Sequence, residues 1–192
     1  TCALPICLGT GVSLIPERNP LLTAKEIASI DHYSGGRMRF GIGAGWNEPE
    51  CRIMGGDFEH RWAQTKESIA VMKKLWSGEY VEHHGKYYDF APITVMPRPV
   101  RNIPIMMAAL VPEAIEASAR RGFHIQTTPL NATIEKMQEQ VAAFQRGRAA
   151  LGSAGTDLRL SLSRVCCVAR DDADAKAKLE LARGYYGRFH NV

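Results

Sequence analysis

Short apolar runs alternate with longer stretches whose apolar residues recur at helical spacing, and this change of period repeats five times along the chain. Such a rhythm predicts βα units around a parallel sheet. The first run is Ala3 to Leu8, ending in Gly9-Thr10-Gly11, and Pro20 to Tyr33 then places Leu22, Ile27 and Ile30 at helical spacing. Ser34-Gly35-Gly36-Arg37 stops that helix, because glycine takes the left-handed conformation a helix end favours. Met38 to Ile42 reads as a second strand running into Gly43-Ala44-Gly45. Arg61 to Trp76 follows as an amphipathic helix with Ile69, Met72, Leu75 and Trp76 on one face, closed by Ser77-Gly78.

Tyr80 to Phe90 reads as an extended excursion around Gly85, and the proline-studded stretch from Pro92 to Pro104 suits neither a regular helix nor a central strand. Residues 79–103 are therefore expected to be an insertion between barrel units. A third strand, Ile105 to Ala109, leads to a helix from Pro112 to Arg121, opened by proline and closed by Gly122. Phe123 to Thr128 is a fourth strand, Ala132 to Leu151 a long helix, and Leu158 to Ala169 a fifth strand. Asp171-Asp172 caps a last helix to about Gly184.

Composition narrows the class. Apolar residues make up 45% and charged residues 23%, an ordinary globular balance. No run approaches the roughly 18 apolar residues a membrane helix needs, so a protein that is not embedded in a membrane is expected. The net charge of +4 is spread along the chain without a basic block, which argues against nucleic acid as a partner. Five cysteines at positions 2, 7, 51, 166 and 167 show no C-x-x-C spacing, which favours a reducing, cytoplasmic setting. Five units are too few for a closed eight-stranded barrel of about 250 residues, so a fragment is expected. A free-standing open five-stranded sheet is the alternative.

Several motifs occur in a fixed order: Leu8-Gly9-Thr10-Gly11-Val12, Arg18-Asn19-Pro20, Ala24-Lys25-Glu26, Asp31, and Ser34 to Arg37. They continue with Gly41-Ile42-Gly43-Ala44-Gly45-Trp46-Asn47, Glu50, Asp57-Phe58, Arg61, Glu67, Leu75-Trp76, Gly85-Lys86-Tyr87-Tyr88 and Pro97-Arg98-Pro99. Each piece is weak alone, but their order and spacing resemble the luciferase-like flavin or deazaflavin oxidoreductases, over Leu8 to about Leu130. The resemblance implies an α/β fold, a (β/α)8 TIM barrel cut at both ends, in which the first strand here is the family's third. It implies an oxidoreductase acting on a small organic substrate with reduced FMN and O2, or a hydride-transfer enzyme using coenzyme F-420. A separate flavin reductase and a homo-oligomer of the full-length protein come with it.

In a TIM barrel the chemistry sits at the carboxyl ends of the strands. The resemblance implies a bulge with a non-prolyl cis bond at Gly11-Val12, behind the flavin ring, where an ordinary strand-to-loop turn is the alternative. Gly43-Ala44-Gly45-Trp46-Asn47 lacks side chains that would keep a ring or phosphate from backbone amides. A G-x-G-x-x-G dinucleotide reading fails there, since Trp46 occupies the sixth position and helical periodicity starts only near Arg61. The rival nicotinamide dehydrogenase requires a helix within a few residues of Gly45. Arg61 is either a phosphate ligand or a solvated surface arginine.

Ala109, Leu110 and Val111 precede a helix whose free amides could hold a phosphate. Many relatives have two glycines where Leu110 and Val111 stand, which favours FMN over F-420 and also admits a cofactor-free binding subunit. Thr127 and Thr128 read as turn residues, and Cys51, His60, His124 and His190 as structural or exposed. His83-His84 face opposite ways on an extended chain, so no metal is expected. The family's acid or base residues lie outside this chain, so no catalytic residue is assigned. A fragment of a barrel exposes unpaired strand edges, so the 192-residue chain expressed alone is expected to aggregate or to lack a sharp transition. A cooperative melt as a monomer, followed by calorimetry and light scattering, would contradict truncation.

Overall fold

The computed structural model describes residues 6–128, 133–163 and 167–186. The expected first-strand residues 3–5, the helix start at Ala132, residues 164–166, and both Cys2 and His190 lie outside them. Strands β1 (Leu8–Gly9), β2 (Ser13–Leu14), β3 (Met38–Gly43), β4 (Val81–His84), β5 (Asp89–Ile93), β6 (Ile105–Ala108), β7 (His124–Thr127) and β8 (Leu160–Leu162) interleave with six α-helices. These are α1 (Pro20–Ser34), α2 (Glu48–Ile53), α3 (Arg61–Ser77), α4 (Pro112–Ala119), α5 (Ile134–Ala149) and α6 (Asp172–Tyr186).

The main sheet is parallel in the order β1-β3-β6-β7-β8, with β2 also on β3, so strands neighbour one another in chain order. A dinucleotide-binding sheet reverses its order at a switch point. This one never does, and that places it with barrel walls. Met38, Phe40, Ile42, Ile105, Met107 and Ile125 are buried. Phe40 meets Trp76 edge to face at 6.3 Å, which fixes these alternate residues on the helix side. Gly41, Gly43, Ala108 and Gln126, which approach one another, belong to the opposite, concave face.

The expected elements shift in four places. Among the described residues the first strand pairs at Leu8–Gly9 and resumes at Ser13–Leu14, so it runs on past its expected end at Leu8, because the ladder follows β3 on either side of the Gly11 bend. On α1, Leu22 and Ile30 are exposed, and Pro20, Thr23, Ala24, Ile27, Ala28 and Asp31 make the buried face. Small residues let this helix sit close, which an eye for large apolar groups misses. Helix α2 was not expected. It begins three residues after Gly45 but buries only Cys51, so it has no apolar period to read, and the crossover helix is still α3. The fifth strand is confined to Leu160–Leu162 among the described residues.

Two carboxylates tie the layers together. Asn19 caps α1, accepting from the amides of Leu21 (2.9 Å) and Leu22 (3.3 Å), and Gly35 ends it with φ of 67°. Asp31, fully buried near that end, accepts from the amides of Met38 (3.3 Å) and Val100 (2.9 Å), joining α1 to β3 and to the proline-rich stretch. Residues 81–93 form a separate two-stranded antiparallel sheet, in which Pro92 sits on an edge strand.

Glu67 on α3 holds this hairpin. Its Oε1 accepts from the amides of Tyr87 (3.0 Å) and Tyr88 (2.9 Å), its Oε2 from that of Lys86 (3.2 Å), and His83 Nε2 lies 3.2 Å away. Burial pushes the Glu67 carboxyl up, but the Tyr88 and Tyr87 amides and His83 outweigh it, leaving its pKa below the ordinary 4.5. Its contribution is therefore present above pH 4.5 and is lost as pH falls through the lower folded value. Glu67→Gln should destabilise the fold by about 1–3 kcal/mol in urea unfolding of the full-length protein at pH 7. The variant's stability should also fall less between neutral and acid pH than that of the unaltered chain.

Candidate functional site

The loops after β1, β3, β6 and β7 share the carboxyl end of the sheet. Gly9 pairs with Arg39 and Ser13 with Ile42, so three residues, Thr10 to Val12, stand opposite two, Phe40 and Gly41. This extra residue is a bulge. The Gly11-Val12 peptide within it is cis. Thr10 Oγ1 donates to the Gly41 carbonyl at 2.6 Å, and a Cβ on Gly41 would fall on the Thr10 carbonyl oxygen. Only glycine lets the strands approach in this way. A Cβ on Gly43 would meet Val12 Cγ2 at 3.2 Å and the Ala108 Cβ at 3.7 Å, so the Val12 side chain leans across the bare end of β3 toward β6.

Beyond β3, Ala44 is buried and Gly45 takes φ of 81°, turning the chain toward α2. Trp46 is 69% exposed, and Asn47 precedes α2 without making a side-chain cap. Arg61 opens α3 and turns back: Nε donates to the Gly45 carbonyl (3.2 Å), Nη1 to the Phe58 carbonyl (2.7 Å), and its guanidinium lies 3.9 Å over the Phe58 ring. It clamps the glycine loop. Cys51 is buried behind the loop, and burial, followed by the Glu17 charge, raises its thiol pKa and keeps it unreactive.

After β6, Ala109 is buried while Leu110 and Val111 are about half exposed, and the Leu110 carbonyl accepts from Gln140 Nε2 on α5 at 2.7 Å. Val111 stands at the N-cap of α4 without a side-chain cap. Trp46, Leu110 and Val111 thus put three exposed apolar groups on the loops of two neighbouring strands. Thr127 is buried, with Oγ1 unpaired.

Gln126 went unnoticed in the sequence. It lies on the concave face, its Nε2 3.6 Å from where a Cβ on Gly11 would be and its Oε1 3.2 Å from one on Gly41, and that Oε1 is buried without a donor. Its signal was the placing of polar His124 and Gln126 on either side of apolar Ile125 in a strand otherwise read as apolar. One layer below, burial and then the charges of Arg39 and Arg159 depress the His124 pKa, and His124 Nδ1 accepts from the Arg159 amide at 3.2 Å. His124 is therefore structural.

His83 and His84 do face opposite ways. His83 stacks on Phe90 at 5.9 Å beside Glu67, while His84 pairs with Asp89 at 2.6 Å in solvent. His60 pairs with Asp57 at 2.7 Å. Among the described residues no group of three His, Cys, Asp or Glu side chains could hold a metal ion, and none of the helices is long and apolar enough to cross a membrane.

A parallel sheet wound in chain order, with a bulged first strand over two glycines, forms part of the wall of a (β/α) barrel, and sequence comparison gives its family. The family described as luciferase-like monooxygenase matches residues 5–191, and the chain belongs to it. It is 35% identical over 141 residues to the oxygenase component of flavin-dependent trigonelline monooxygenase from Acinetobacter baylyi, covering 71% of this chain and 39% of that protein. An FMNH(2)-dependent dimethylsulfone monooxygenase from Pseudomonas putida is 31% identical over 86 residues, 43% of this chain and 24% of that protein. Among solved structures, monooxygenase RslO1 from Streptomyces bottropensis superposes with a TM-score of 0.84 at 27% identity, covering 95% of this chain and 56% of that one. The chain thus spans about half the length of that structure and less of those two relatives.

Gly41→Ala tests the bulge directly. The added methyl meets a backbone carbonyl that no rotamer can move, so a loss of about 1–3 kcal/mol is expected in chemical denaturation of the full-length protein, whereas Gly35→Asn, at an open left-handed cap, should cost much less.

Proposed function

We propose that this chain carries the cofactor cradle of a monooxygenase that acts on a small organic substrate with reduced FMN and O2. The observation that carries the reading is the concave surface at the β1 bulge. Gly41 and Gly43 add no side chains of their own to it, the space theirs would take being closed by the Thr10 carbonyl and the Val12 side chain, and the Gln126 carboxamide, with its Oε1 unpaired, lies beside them. Such a surface suits a flat ring. Gly11 and Val12 would lie against that ring, and the backbone of Gly43 to Asn47 would border it. Arg61 would serve by fixing the Gly45 carbonyl. Ala109, Leu110 and Val111 would present the free amides and positive end of α4 to the phosphate.

Bound reduced FMN would supply the electron pair that reduces one oxygen atom of O2 to water while the other is inserted into the substrate. Trp46, Leu110 and Val111 would screen that chemistry from water and favour an apolar substrate. The name of the Acinetobacter relative, an oxygenase component, supports a separate reductase as the source of reduced flavin. A reducing cytoplasmic setting is consistent with unpaired Cys7, Cys51 and Cys167, and self-association of the full-length protein completes the reading.

Titration of the full-length protein with oxidised and reduced FMN and with F-420, followed by fluorescence, tests the assignment. FMN is expected to bind at least about tenfold more tightly, a difference of about 1.4 kcal/mol. The reverse order would replace oxygen insertion with deazaflavin hydride transfer. Binding of neither would overturn the enzyme reading in favour of a cofactor-free binding subunit. Gly43→Val, which pushes on Val12 and fills the cradle, should weaken FMN binding by about tenfold or more.

A further inference from the structure

We infer that Gln126 contacts the bound ring, its otherwise unpaired Oε1 accepting a hydrogen bond from a ring N–H. The inference rests on the flavin reading above. Gln126 reaches the Gly11 and Gly41 backbone from inside the barrel, with Nε2 3.6 Å and Oε1 3.2 Å from where their Cβ atoms would lie. A larger side chain at either glycine would displace it, so the bulge and the carboxamide share one space. Its Oε1 is buried with no donor among the described residues. A buried acceptor without a partner is a standing cost to the fold, relieved by any ligand that brings an N–H to it. Because Oε1 gives up no hydrogen bond on turning, the carboxamide can rotate toward a ligand without breaking one.

Neighbouring groups make poor substitutes. Thr10 Oγ1 is held in place by the hydrogen it donates to the Gly41 carbonyl, so its lone pairs cannot swing toward a ligand as the carboxamide can, and His124 Nδ1 is committed to the Arg159 amide. Position 43 has no side chain, and Ala108 has no polar atom. The ligand class these groups define is a flat ring edged with an N–H. Oxidised flavin has one such ring donor, at N3.

The test compares FMN with its N3-methyl derivative, both oxidised, by fluorescence titration of the full-length protein with this chain unaltered and with Gln126→Met. In the unaltered chain, methylation should weaken binding about tenfold, the worth of one hydrogen bond. Gln126→Met, close in shape and without the orphaned acceptor, should bind both ligands alike, as weakly as the unaltered chain binds the methylated one. Its melting temperature should not fall. If Gln126→Met does not fold, Gln126→Glu, which keeps an acceptor, should retain discrimination against the methyl group. Equal affinity of the unaltered chain for the two flavins, or undiminished FMN binding by Gln126→Met, would overturn this inference alone. Absence of flavin binding by the unaltered chain would overturn the functional reading and this inference with it.

Discussion

The Thr10 carbonyl oxygen occupies the space where a side chain at position 41 would begin, and the architecture of the mouth depends on that contact. Glycine at 41 lets β1 carry its extra residue, and the same lack of a Cβ admits the Gln126 carboxamide. Gly43, two residues on and so on the same face, accepts the Val12 side chain. A bulge in a buried strand re-aims the residues beyond it. Here it swings Val12 over β3 and leaves a polar group beneath.

The rest of the chain holds that contact in place from behind. Phe40 and Ile42, flanking Gly41, are fully buried against the helices, and Trp76 fixes α3 on α1 by donating its Nε1–H to the Ala24 carbonyl at 3.0 Å. Asp31 secures the start of β3 and Arg61 the loop after it. The strand on which the site depends is thus anchored at both ends by polar groups and in the middle by apolar ones.

The sequence made legible those elements whose ends are marked by glycine or proline and whose faces are large and apolar. Helix α1 from Pro20, β3 from Met38, α3 from Arg61 and α4 from Pro112 all begin where expected. It hid the features that depend on close approach or on a single contact. Ala24 and Ala28 give α1 its buried face without any apolar stripe, α2 buries only Cys51, and the offset of β1 is a matter of register that no window of residues records. The glycines of the cradle were readable because a missing side chain is a strong signal. Gln126 was not, because one glutamine in a strand has no meaning until its neighbours across the sheet are known.

Glu67 grips the 81–93 hairpin almost wholly through main-chain amides, those of Lys86, Tyr87 and Tyr88. Such an anchor makes few demands on the side chains at positions 86 and 87, whereas position 85 must stay bare, since a Cβ there would fall on Glu67 Oε1, and His83 and the Tyr88 hydroxyl add side-chain contacts to α3. Away from those positions the excursion can diverge in sequence, acquiring new contacts at its outer surface, while its seat on α3 stays the same.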